Sequence, residues 1–204
     1  MGQVNSVVCV MVHGRGQTPG DMEAMVLRHI AVPGVRFHLP QAATRSWYDA
    51  RAIDPLTPTT QAQLSASLQA LADSIADAGP ADRIVLAGFS QGACLALEYA
   101  LRRVHPADAA QLAGLCLFTG CRVGSDPDLP VAPLAGLPVY ASIGDDDPWI
   151  PLAAHVAANL TLARLGARLR TDVFPGRPHL AGPVEIAQLS AMLSAVTRGD
   201  EVFA

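Results

Sequence analysis

Strand-like and helix-like segments alternate along this chain of 204 residues. The alternation predicts an α/β sandwich with a mostly parallel central sheet of about six or seven strands and helices on both faces. Three observations carry that expectation. Short apolar runs rich in β-branched residues recur, as in strands buried on both faces of a parallel sheet. Segments with helical spacing of apolar residues separate them. Gly and Pro mark nearly every boundary.

The first run, Val4 to Val12, ends at Gly14. Asp21 then fits the N-cap of a helix in which Met22, Met25, Val26, His29 and Ile30 lie on one stripe, stopped by Pro33-Gly34. A second strand, Val35 to Leu39, is cut off by Pro40 and gives way to an irregular stretch with Trp47, Tyr48, Pro55 and Pro58. Thr57-Pro58 starts a long helix with Leu64, Leu68, Leu71 and Ile75 on one face, and Gly79-Pro80 closes it. Then follow strand Arg83 to Gly88, helix Gln91 to Val104, strand Gly114 to Thr119 and strand Pro138 to Ile143. A helix from Pro151 to Gly166, strand Arg168 to Val173 and a helix from Pro183 to Thr197 complete the order. The Pro-rich connection Gly120 to Gly136 is too short for a separate cap domain, so residues 1–204 read as one domain with a site open to solvent.

Composition removes several functions. Every one of the 14 basic residues is Arg, which excludes a Schiff-base lysine, pyridoxal-phosphate chemistry and a GxxxxGK phosphate loop. A formal net charge of −4 without a basic block argues against a nucleic-acid partner. Despite the positive mean hydropathy, no uncharged stretch is long enough and free enough of Pro to span a bilayer. Residues Met1 to Ser6 formally fit a myristoylation pattern, yet Gly2 lies almost against a buried strand, so no stable membrane anchor is expected. Cys9, Cys94, Cys116 and Cys121 lack C-x-x-C spacing and mostly sit in apolar runs. They read as buried thiols of a cytoplasmic protein.

In such a sheet the chemistry gathers beyond the carboxyl ends of the strands. Gly88-Phe89-Ser90-Gln91-Gly92 is a G-x-S-x-G placed between a buried strand and an Ala/Leu-rich helix. A serine on so tight a turn is strained, and Gly88 and Gly92 leave room for strand and helix to approach. Its hydroxyl points out of the sheet, and the Gln91 N–H sits at a helix N-terminus, where an oxyanion is stabilised. His13-Gly14-Arg15-Gly16, at the end of the first strand, offers a second such donor, the Arg15 N–H. A dinucleotide fingerprint is the competing reading of these glycines, but the third glycine, Gly20, comes one residue late. Pro19 interrupts the loop, and no Asp or Glu ends the second strand to hold a ribose. Gly144-Asp145-Asp146-Asp147-Pro148 follows another strand and lacks calcium-loop spacing. In a nucleophile, acid, base order, only one of these acids is needed, and Asp147 is the expected one, with Asp145 and Asp146 the nearest alternatives; His179, in the loop after strand 168–173, is the expected base.

Taken together, the His13 to Gly16 loop, Pro40-Gln41-Ala42 with Trp47-Tyr48, the G-F-S-Q-G elbow, Gly144 to Pro151 and His179 resemble the phospholipase/carboxylesterase family. This family of small α/β-hydrolases includes bacterial carboxylesterases and acyl-protein thioesterases. The resemblance implies an α/β-hydrolase fold with Ser90 as nucleophile, His179 as base, Asp147 as acid, and the N–H groups of Arg15 and Gln91 as oxyanion donors. Ile150 stands where the family's acid motif usually has Val, and Pro178 where a small residue is more usual. The stretch from Ala42 to Thr57 is shorter than the lid-bearing region of the thioesterases.

The expected reaction is hydrolysis of short to medium acyl esters, with thioesters as a further class, through an acyl-enzyme and without cofactor or metal. Trp47, Tyr48, Phe118 and Trp149 are the aromatics expected to line the mouth. A small ester is the expected partner, and homodimerisation is left open. The alternative is a catalytically inactive α/β-hydrolase fold that binds a small molecule, though no member of the triad is missing.

Overall fold

The computed structural model describes residues 6–102, 112–124 and 133–203. Strand β1 (Val7–Val12), helix α1 (Pro19–Met25) and strand β2 (Val35–His38) come first. They are followed by α2 (Pro58–Asp77), β3 (Arg83–Phe89), α3 (Gln91–Arg102) and β4 (Leu112–Phe118). Then come β5 (Pro138–Gly144), α4 (Leu152–Arg164), β6 (Arg168–Phe174) and α5 (Pro183–Arg198). The predicted order is therefore met element by element. The pattern at Met1 to Asn5, the end of the predicted third helix at Val104, His105 and the middle of the 120–136 connection lie outside the described residues.

The six strands form one sheet in the order β2-β1-β3-β4-β5-β6, and every pairing is parallel. One core cluster joins α2, α3 and α4 to one sheet face, and a second joins α1 and α5 to the other. All six residues of β1 are buried, as a central strand covered on both faces requires. The edge strands β2 and β6 are mostly half-buried or exposed. No inserted cap domain stands over the strand ends among the described residues, and no helix there is long and apolar enough to cross a membrane.

Local chemistry explains the small departures. Ser6, the first described residue, bonds the Asp82 carboxylate through its N–H and hydroxyl, at 2.8 and 3.1 Å, and strand β1 follows from Val7; the predicted start at Val4 lies outside the described residues. The N-cap of α1 is Thr18 and not Asp21. Asp21 is the third helical residue, and its carboxylate reaches back to the Thr18 N–H at 2.7 Å while the Thr18 hydroxyl accepts from the Asp21 N–H. The helix gives way to a 3-10 turn over Leu27–His29; of the predicted stripe Met22, Val26 and Ile30 are buried and Met25 is half-buried, while His29, at the end of the tighter turn, is exposed.

The chain steps from β1 outward to β2, then returns to the other side of β1 as β3, so the strand order reverses between β1 and β3. Ligand sites of open parallel sheets form at such a reversal. Register aligns the strand ends there: Val12 lies beside Gly88, Phe89 beside Phe118, and Gly144 beside Phe174.

Candidate active site

Ser90 occupies the turn between β3 and α3 with φ +55°, a left-handed conformation that costs a β-carbon residue about 1–3 kcal/mol. The turn is held by a hydrogen bond from the Ser90 N–H to the Phe118 carbonyl at 2.9 Å and by the first helical bond, Cys94 N–H to the Ser90 carbonyl, at 3.0 Å. Close approach explains both flanking glycines. A Cβ on Gly88 would meet the Gly92 backbone at 2.5 Å, and one on Gly92 would meet the Val12 carbonyl oxygen at 2.2 Å.

The loop after β1 uses its backbone donors in a definite pattern. Gly14 N–H bonds the Gln17 side-chain oxygen at 2.9 Å, Gly16 N–H the Arg45 carbonyl at 2.7 Å, and Gln17 N–H the Gly14 carbonyl at 3.2 Å. The Arg15 N–H between them makes no such bond among the described residues. Gln91 is the first residue of α3, so its N–H has no acceptor within the helix. The Arg15 guanidinium turns to the carbonyls of Asp49 and Ala50, at 3.3 and 2.7 Å.

Buried side chains fix this loop from behind. His13 is fully buried; its Nδ1 contacts the Gly14 carbonyl at 2.8 Å and its Nε2 accepts from the Ala42 N–H at 3.1 Å. That pair of contacts demands the neutral ring with its proton on Nδ1, and burial lowers the pKa accordingly. The Gln91 side chain accepts from the Trp47 N–H at 3.0 Å and donates to the Tyr48 carbonyl at 2.7 Å. The sequence placed His13 and Gln91 by their backbone; their side chains bind a segment more than 28 residues away. The glutamine inside the elbow motif was the available signal.

Asp147 and His179 meet across two loops, Nδ1 to Oδ2 at 2.6 Å. The other Asp147 oxygen accepts from the N–H groups of Trp149 and Ile150 at 2.8 and 3.0 Å. The carboxylate is thereby oriented, and the ring N–H stands on Nδ1, leaving Nε2 as acceptor. Asp145 instead accepts from the Gly176 N–H at 2.6 Å, and Asp146 is exposed, so the three adjacent acids diverge. His179 also packs against the Phe89 ring, centroid to centroid 5.0 Å.

Ser90, His179, Arg15 and Gln91 border one cavity of about 690 Å³. Met25, Phe89, Trp149 and Ile150 give it apolar walls, and Asp49 and Arg51 add charged residues to its lining. Of the four aromatics expected at the mouth, Tyr48 and the exposed Trp149 line it. Trp47 and Phe118 do not. Trp47 is buried with its Nε1 donating to the His13 carbonyl at 2.9 Å and its ring 5.0 Å from the imidazole. Phe118 faces the opposite core and meets Tyr140 edge to face. Cys94, one helical turn beyond Ser90, lines the cavity without a signal in the sequence that separates it from any other buried thiol.

A parallel sheet with a strained serine elbow at its strand reversal, and a carboxylate–imidazole pair on the neighbouring loops, defines an α/β-hydrolase. A crystal structure of a phospholipase/carboxylesterase from Dyadobacter fermentans superposes with a TM-score of 0.78 at 30% identity, over 92% of this chain and 90% of that one. Acyl-protein thioesterase 1 from Mycosarcoma maydis is 27% identical, over 91% of this chain and 89% of its own. The enzyme of the same name from Neurospora crassa is 24% identical, over 93% and 86%. The Phospholipase/Carboxylesterase family profile matches residues 3–197, and the chain belongs to that family, as a carboxylic ester hydrolase.

Proposed function

We propose that the protein is a serine hydrolase that cleaves carboxylic esters, and thioesters, of short to medium acyl chains, with Ser90 as nucleophile, His179 as general base and Asp147 as the acid that orients it. The observation that carries this reading is the convergence of Ser90, on its strained turn, and the Asp147-bound imidazole on one cavity. Ser90 Oγ attacks the carbonyl carbon while His179 Nε2 takes the hydroxyl proton, and the Asp147 carboxylate stabilises the imidazolium. The N–H groups of Arg15 and Gln91 hold the oxyanion. Collapse of the tetrahedral intermediate expels the alcohol or thiol, which receives the proton from His179. Water, deprotonated by the same imidazole, then attacks the acyl-serine and releases the acid.

The volume and the apolar wall of Met25, Phe89 and Ile150 fit a medium acyl chain. The thioester arm draws on the names of the two thioesterase relatives. Four free, buried cysteines favour a reducing, cytoplasmic setting. A fluorophosphonate is the direct test. It should modify the wild type at Ser90 and leave Ser90→Ala unlabelled, with kcat on p-nitrophenyl esters reduced roughly 10⁶-fold in that variant. An unlabelled wild type would instead support a binding protein without catalysis. Paired series of esters and acyl-thioesters of rising chain length then measure the depth of the pocket.

A further inference from the structure

The segment carrying His179 is tied down by two residues that the proposed chemistry does not use. Glu185, in the first turn of α5, is fully buried, and both of its oxygens are engaged. Oε2 accepts from Arg177 Nη1 at 2.9 Å and from the Gly182 N–H at 3.0 Å, while Oε1 accepts from Arg177 Nη2 and from the Ser142 hydroxyl at 3.1 Å. The carboxylate thus grips Arg177, before His179, and Gly182, after it, and closes the intervening residues into a ring. Ser142 on β5 anchors that ring to the sheet.

Arg177 carries the connection on to the acid. Its carbonyl accepts from the Asp146 N–H at 3.3 Å and lies so close to Gly144 that a Cβ there would come within 1.9 Å of the oxygen. Its guanidinium also lies over the Phe174 ring at 3.6 Å. Burying a carboxylate is unfavourable, and a well-packed apolar pair can hold a loop at least as stably. What apolar packing lacks is the fixed direction of a two-pronged Arg–carboxylate contact. We infer that Glu185 is a positioning residue for hydrolysis: by bridging both ends of the His179 segment, it sets the imidazole against Asp147. The inference rests on the reading of His179 as the base.

Glu185→Gln, His179→Ala and wild type are compared by steady-state kinetics on a p-nitrophenyl ester, with folding checked by circular dichroism. The downfield proton resonance of His179 Nδ1, assigned by its absence in His179→Ala, is followed by NMR. In Glu185→Gln kcat should fall about tenfold to hundredfold, as loss of placement by an ångström does. KM should stay within about threefold, and the Nδ1 resonance should shift or broaden. A purely structural role would lower thermal stability and leave kcat and the resonance where they are. A folded Glu185→Gln with wild-type kcat and resonance overturns the inference. If that variant does not fold, Arg177→Lys, which keeps the charge and loses the fork, must show the same kcat loss and altered resonance; wild-type behaviour there overturns it equally. Full activity in His179→Ala would remove the general base itself, and the positioning role with it. Loss in His179→Ala beside an unaffected Glu185→Gln would remove the positioning role alone.

Discussion

Replacing Gly92 with alanine sets an ordinary helix gain against a backbone collision. At an unhindered helical position, Gly to Ala stabilises by about 1 kcal/mol. Here the new methyl would stand 2.2 Å from the Val12 carbonyl oxygen and 2.6 Å from that of His13, where ordinary contact begins at 3.4 Å. Both neighbours are main chain, so α3 and the end of β1 must part by about 1.2 Å, a displacement of the size that costs about 10² in rate when it misplaces a reacting group. The parts driven away from each other are the ones that carry the Gln91 and Arg15 N–H groups. Overpacking of this kind costs about 1–3 kcal/mol, which for a chain of this size lowers Tm by about 2–12 °C. Thermal unfolding and initial rates on a p-nitrophenyl ester should therefore show a lower Tm and a kcat reduced about a hundredfold, with KM little changed. A raised Tm with kcat within about threefold of wild type would show that the collision is relieved without moving the donors, and would refute the reasoning.

Three further outcomes follow from the same geometry. In Asp147→Asn the amide oxygen must serve the Trp149 and Ile150 N–H groups, which turns the NH₂ toward His179 Nδ1 and forces the proton onto Nε2; kcat should fall about 10⁴-fold, and a loss under tenfold would place the acid elsewhere. His13 and His155, the latter buried in α4 with its Nδ1 2.9 Å from the Gly120 carbonyl, both have pKa values lowered chiefly by burial, so the unfolded chain takes up their protons first. Stability should be complete above about pH 6.5 and decline below it, seen as a falling urea midpoint from pH 7 to 5, and a constant midpoint would contradict their neutral burial. Trp149→Ala removes an exposed ring from the mouth while its N–H still serves Asp147. kcat/KM should drop for long acyl esters and hold for acetate, with Tm within the change of about 0.5 kcal/mol usual for surface sites.

The elements were legible because each has a local signature. Gly79 and Gly166 close helices at φ +82° and +85°, and Pro58 and Pro183 open them at the first helical position. The elbow was legible for the same reason: Gly88, Ser90 and Gly92 are adjacent, and their constraint is a property of one turn. Phe118 was not. Along a strand buried on both faces, hydrophobicity no longer tells the faces apart, and register alone puts Phe118 with Cys116 and Tyr140 on the side of α5. Trp47 likewise follows from its contact with His13, across 34 residues of chain.

His13 and Gln91 both hold the segment Ala42 to Tyr48, one from the end of β1 and the other from the start of α3. The backbones bearing the proposed oxyanion donors, the N–H groups of Arg15 and Gln91, are thus joined through a third piece of buried chain. Ser67 of α2 adds its own hydroxyl bond to the Trp47 carbonyl. Groups held in this way need no closing motion to be aligned, since their positions are set when the core packs. The same coupling makes the 42–48 segment a poor place to alter specificity, because a change there moves the donors along with the wall. Trp149, which meets the cavity from the rim and contributes only its backbone to Asp147, can vary without that consequence.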